Sequence, residues 1–186
     1  MNEKNRKDRW FLGGTCAETT WRDELMPLLD EAGIEYFNPV VDDWTPECQA
    51  VEEEEKNRRC NVHLYVLTPE MQGVYSVAEI IHSAHLANTY GTSVDRLIFA
   101  VLESPEWTKQ QLKSLDATMT LVRNIGRDKC FAGTVSDMDE LVELTVYDEM
   151  IDDYDSWSGI ERPDDYVNDD YEGDDEYGAE LTDENI

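Results

Sequence analysis

The sequence predicts an α/β domain built on a parallel sheet, and three observations carry that expectation. Val62–Leu67 (Val-His-Leu-Tyr-Val-Leu) and Leu97–Leu102 (Leu-Ile-Phe-Ala-Val-Leu) are short, almost wholly apolar runs, as expected of strands buried on both faces. Stretches with strand character alternate with stretches of helical spacing along most of the chain. The first such stretches form a β-α-β unit, whose two strands should be parallel with a right-handed crossover.

That unit begins with Trp10 to Gly14 (Trp-Phe-Leu-Gly-Gly), a strand running into a glycine turn. Thr15 to Thr20 reads as a loop. Trp21, Leu25, Leu28, Leu29 and Ala32 fall at helical spacing, and Gly33 ends the helix. Pro27 inside that pattern implies a kink or a late start. Ile34 to Pro39 is the second strand. Gly13 and Gly14 lack the Gly-x-Gly-x-x-Gly spacing of a dinucleotide site, and no phosphate-loop lysine follows them. They either admit a ligand close to the backbone or simply form the turn.

Asn38 to Glu47 (Asn-Pro-Val-Val-Asp-Asp-Trp-Thr-Pro-Glu) is a loop bounded by two prolines, with two carboxylates beside the indole of Trp44. Glu47 to Arg59 is a polar helix, mostly a solvated face, from which one of Glu52 to Glu55 could point inward. After Val62–Leu67, Thr68-Pro69 stops the strand and Gly73 permits a turn. Val74, Val77, Ile81 and Ala84 then make an apolar stripe, with Glu79 off it, Tyr75 and Ser76 one turn before and His82 one turn after. A carboxylate near the start of a helix, just past the carboxyl end of a strand, sits where open α/β sheets bind ligands. The bland alternative is a solvated glutamate.

Asn88 to Ser93 is a polar turn. Trp107 to Thr120 is an amphipathic helix, Thr118 to Val122 a helix end or short strand, and Cys130 to Thr134 a last strand. Ser136 should cap a final helix from Asp137 to about Tyr147.

The 186 residues suit one domain of ordinary size, 1–147, with an appendage, 148–186. Of the formal net charge of -28, residues 148–186 contribute 17 acids against one Arg. Acids alternate there with Tyr154, Trp157, Tyr166, Tyr171 and Tyr177, a composition that predicts disorder and leaves room for docking on a basic protein partner. A surface this acidic argues against direct nucleic-acid binding and against anionic membranes. No apolar run reaches membrane-spanning length, and no signal-peptide core follows Met1 to Arg9. Cys16, Cys48, Cys60 and Cys130 are widely spaced, which suggests partly buried thiols and a cytoplasmic location. With three histidines they show no metal-ligand spacing, and no cofactor is expected.

Several of these segments resemble the nucleoside 2-deoxyribosyltransferase-like family. They are Phe11-Leu12-Gly13-Gly14-Thr15-Cys16, Thr20-Trp21-Arg22, Tyr36-Phe37-Asn38-Pro39 and Asp42-Asp43-Trp44-Thr45-Pro46-Glu47, followed by the central strand and Gly73 to Glu79. The resemblance covers roughly residues 9 to 145. It implies a flavodoxin-like doubly wound sheet of about five parallel strands with flanking helices, and a site at their carboxyl ends. It further implies cleavage of the N-glycosidic bond of (deoxy)nucleosides through a covalent glycosyl-glutamate, resolved by a second base or by water. Glu79 matches the nucleophile, and the family suggests a homo-oligomer.

Such chemistry needs a carboxylate to bond C1′ and an acid to protonate the departing base. Typical members carry an aspartate six residues before the nucleophile, where this chain has Gly73, with Gln72 and Glu70 nearby. A second family aspartate falls near Glu53. Asp43, Glu53 and Glu70 are therefore the candidate acids, Asp43 first. Gly13, Gly14, Thr15, Asn38, Trp44, Glu53, Gly73, Tyr75 and Ser76 are the candidate substrate-binding residues. Tyr75 and Ser76 either fix the Glu79 rotamer or are plain helix surface. Amides after Gly13 and Gly14, with Arg22, offer donors for a 5′-phosphate, yet the negative charge favours a neutral nucleoside. Two rival classes are a nucleotide-like ligand-binding module without turnover and an interaction protein whose acidic tail mimics a nucleic-acid backbone.

Overall fold

The computed structural model describes residues 7–16, 18–41 and 45–147. Asp42, Asp43 and Trp44, and the whole acidic tail, lie outside the described residues. Five strands, β1 (Arg9–Gly14), β2 (Glu35–Phe37), β3 (Val62–Leu67), β4 (Arg96–Leu102) and β5 (Cys130–Val135), form one sheet in the order β2-β1-β3-β4-β5. Every neighbouring pair is parallel. The helices are α1 (Trp21–Glu31), α2 (Pro46–Glu54), α3 (Tyr75–Ala87), α4 (Lys109–Gly126) and α5 (Met138–Val142). This is the doubly wound α/β architecture expected from the sequence.

Strand alternation sorts the core into two layers. One face of the sheet presents Trp10, Leu12, Val62, Leu64, Val66, Ile98 and Ala100 to α1 and α5, through Trp21, Leu25, Leu29, Met138, Leu141 and Val142. The other presents Phe11, Tyr65, Leu67, Leu97, Phe99 and Val101 to α3 and α4, through Ile80, Ala84, Leu115, Met119 and Val122. β3 and β4 are buried almost throughout, which is why they read as continuous apolar runs.

Several elements differ from expectation in detail. α1 runs through Pro27 and starts at Trp21, so the proline neither delays nor ends it. The polar helix divides: α2 is capped by Thr45, whose Oγ1 accepts from the Cys48 amide at 3.3 Å, and a π-helical turn, Glu55–Arg59, follows. The amide of Cys60 closes that turn on the carbonyl of Glu55 at 2.9 Å. The buried face of α3 is Ile80, Ser83, Ala84 and Ala87, whereas Val74 is 81% exposed at the helix entrance. α4 extends to Gly126, so Thr118 to Val122 is helix, fixed at its start by a reciprocal Thr108–Gln111 capping box. Asp137, not Ser136, caps α5, its side chain accepting from the Glu140 amide at 2.8 Å; Ser136 instead donates to the Glu140 carboxylate at 2.7 Å.

Among the described residues, no helix is long and apolar enough to cross a membrane. Cys60 is buried, Cys48 and Cys130 are half-buried and Cys16 is exposed. Burial pushes the Cys130 thiol up to about 12.

Candidate active site

Order in the site begins with β1. Gly14 has φ +112, and a Cβ there would come within 2.1 Å of the Val66 carbonyl oxygen; one on Gly13 would meet the Tyr65 ring at 2.5 Å. The two glycines are therefore required by the close approach of β1 to β3 and to its Tyr65 side chain. Thr15, 3% exposed, joins the two strand ends: its amide donates to the Val66 carbonyl at 2.9 Å and its Oγ1 accepts from the Thr68 amide at 3.0 Å. Arg22 donates to the carbonyls of Leu12 and Thr15, at 3.1 and 2.7 Å, and stacks on Trp21. Its donors are thus turned toward the loop that they hold.

α3 is aimed at this loop. Ser76 Oγ donates to the Gly14 carbonyl at 3.4 Å, and Glu79 lies one turn further along. Glu79 is not a solvated residue: its side chain is 12% exposed, and its Oε1 accepts from Lys56 Nζ at 2.5 Å. Lys56 opens the second position of the π-helical turn and is only 4% exposed. Its ammonium also stands 3.6 Å from Glu53 Oε1 and 5.6 Å from the centre of the Phe11 ring. Turns of this kind often occur at functional sites.

Four residues before Lys56, on the same helix face, is Glu52. Burial and the charge of Glu79 raise its carboxyl above the ordinary glutamate range, against the opposing pull of Lys56 and Arg22. Glu53, one residue on and rotated by about 100° on an α-helix, is half-exposed and accepts from Asn57 Nδ2 at 2.6 Å. Glu55 faces the opposite way, toward Arg9 at 2.8 Å and Arg59 at 3.0 Å. Burial pulls the Lys56 ammonium down, but its bond to Glu79 and the charges of Glu79, Glu53 and Glu52 raise it overall, so it stays protonated.

Beneath the pair runs a buried polar chain. His63 and Tyr65 point from β3 toward α3, and both are fully buried. His63 Nε2 lies 2.8 Å from the Lys56 carbonyl and Nδ1 lies 2.9 Å from Ser83 Oγ. A carbonyl can only accept, so Nε2 carries the hydrogen and Nδ1 accepts from Ser83. Tyr65 Oη then donates to Ser83 Oγ at 3.2 Å. Burial lowers His63 to about 4, so the ring is neutral. Burial and the Glu79 charge push the Tyr65 hydroxyl well above its usual range.

The other sequence candidates are dispersed. Gly73 and Tyr75 are exposed at the entrance to α3. Asn38 makes a local turn, accepting from the Val40 amide at 3.1 Å. Glu70 is exposed, and the nearby Thr68 hydroxyl and its own backbone amide hold its carboxyl below the ordinary range, which makes it a poor acid. Asp43 and Trp44 lie outside the described residues. The sequence reading did not single out Lys56 and His63, and its upstream candidate Glu53 is the neighbour of Glu52. The available signal was the Glu52–Lys56 spacing of four.

The clustered groups sit on β1, the second helix with its π turn, β3 and α3. Residues 7–93 match the family described as nucleoside 2-deoxyribosyltransferase like. The matched segment contains Glu52, Lys56, His63 and Glu79 and ends before β4, so it is shorter than the resemblance drawn from the sequence. No curated protein and no solved structure matches the chain significantly.

Proposed function

We propose that the protein cleaves the N-glycosidic bond of (deoxy)nucleosides, with Glu79 as nucleophile and Glu52 as the acid that protonates the leaving base. The family match supports a related glycosyl-transfer function. The observation that carries the finer reading is the pairing of unlike carboxyl groups: Glu79 is ion-paired to a buried ammonium, while Glu52 beside it is raised by burial and by the Glu79 charge. A carboxylate held by an ammonium, next to a carboxyl raised by burial, is the pairing that nucleophile and acid roles require.

In the first half-reaction a Glu79 oxygen bonds C1′ as the C1′–N bond breaks. The bonding pair leaves with the base, whose nitrogen takes the Glu52 proton. In the second, an acceptor base or water attacks C1′, the Glu79 carboxylate departs, and Glu52 recovers a proton from the acceptor.

Purified protein incubated with each deoxynucleoside, with and without a second free base, tests this by chromatography. Exchanged nucleoside that disappears in Glu79→Ala supports a transferase, and free base alone supports a hydrolase. Absence of product from every nucleoside and monophosphate overturns the reading. Asp43→Asn in the same series decides whether the first acid named from the sequence contributes.

A further inference from the structure

Resting on that reading of Glu79, we propose that Lys56 is a positioning residue that keeps the site charge-balanced through the transfer step. Three glutamate side chains from two helices lie around its ammonium. Glu79 Oε1 is bonded at 2.5 Å from α3, Glu53 Oε1 stands at 3.6 Å from α2, and Glu52 lies one turn before Lys56 on the same face. The ammonium is nearly inaccessible, and the Phe11 ring lies below it.

A buried charge must keep a partner, because stranding it is costly. Before the reaction, its nearest partner is the Glu79 carboxylate, with Glu53 farther away at 3.6 Å. Once Glu79 has become a neutral glycosyl ester, its charge is gone. At that moment Glu52 has given its proton to the leaving base and become a carboxylate. The negative charge therefore moves from α3 to α2 around a stationary ammonium, and the total charge of the protein groups is unchanged. Fixed Lys56 keeps negative charge beside it on both sides of the step and holds Oε1, leaving Oε2 to meet C1′. Its own position is set by the core, since His63 donates to its backbone carbonyl at 2.8 Å.

The test compares Lys56→Met, Lys56→Gln and Lys56→Arg with the wild type in kcat and KM, alongside thermal melts. Wild-type turnover that Glu79→Ala abolishes establishes the nucleophile independently. Given that, Lys56→Gln and Lys56→Met should lower kcat on the order of 100-fold with KM little changed. Lys56→Arg should restore most of the rate. Should Lys56→Met fail to fold, Lys56→Gln, which retains a hydrogen-bond donor without the charge, decides the matter. Wild-type kcat in folded Lys56→Gln overturns the inference while leaving the Glu79 reading intact. A wild type without turnover overturns that reading, and this inference with it.

Discussion

His63 should make the fold sensitive to mild acid, and the effect can be sized. The ring is fully buried, accepts from Ser83 and donates to the Lys56 carbonyl. Its pKa falls from 6.5 to about 4 on folding, chiefly through burial. With the folded value below the unfolded one, the unfolded chain binds the extra proton between those limits. Stability from this residue is therefore fully present above pH 6.5 and is lost progressively down to about pH 4. At about 1.36 kcal/mol per pH unit, that interval corresponds to a loss of ~3 kcal/mol. Against the roughly 5–15 kcal/mol of a typical domain, this would be readily measured.

The assay is equilibrium denaturant unfolding at a series of pH values, for wild type and His63→Gln. Glutamine offers an N–H to the Lys56 carbonyl and an oxygen to the Ser83 hydroxyl but does not titrate. Carboxylate titrations common to both proteins cancel in the difference. The wild type should lose ~3 kcal/mol more than His63→Gln across the interval. Parallel stability curves from neutral pH to about pH 4 would refute the assignment of a neutral, buried His63.

Glu52→Gln should lower kcat for natural nucleosides by about 100-fold and spare substrates whose leaving base needs no protonation, compared in the same chromatographic assay. Gly14→Ala should destabilise the protein by about 3 kcal/mol or more, since φ +112 and the Val66 carbonyl both oppose a Cβ; a melting curve checks it. A nucleoside should be a better substrate by kcat/KM than its 5′-monophosphate, and added salt should narrow the gap, because the chain carries a net charge of -28 and Arg22 is committed to backbone carbonyls.

The fold was readable because its signals are local. Val62–Leu67 and Leu97–Leu102 are apolar on both faces, and their lengths are close to those of the buried strands. Gly33 marks the end of α1 by the positive φ it adopts there, +69. The site was only half readable. Glu79 stood out through its place after the central strand and through the family resemblance. Its partner did not, because Lys56 follows a run of glutamates that fits a solvated helix face equally well. Lys56 stands in the π-helical turn, an irregularity that no apolar period announces. Spacing pointed near Glu53, and Glu52 beside it is the carboxyl raised by burial and by the Glu79 charge. The glycines at 13 and 14 left open a ligand or a plain turn, and the structure adds a packing reason for them, in Tyr65 and the Val66 backbone.

The two core layers differ in a way that bears on the chemistry. The layer toward α1 and α5 is built from apolar side chains such as Trp10, Leu12, Leu64 and Leu25. The layer toward α3 accepts His63, Tyr65, Ser83 and Lys56 in burial, each with a hydrogen-bond partner. Polar burial of that kind is costly unless satisfied and gains rigidity when it is. Here the rigidity has a direction: the chain from Tyr65 through Ser83 and His63 ends on the backbone of Lys56, whose ammonium ends on Glu79. The Glu79 carboxylate is thereby positioned from the centre of the sheet.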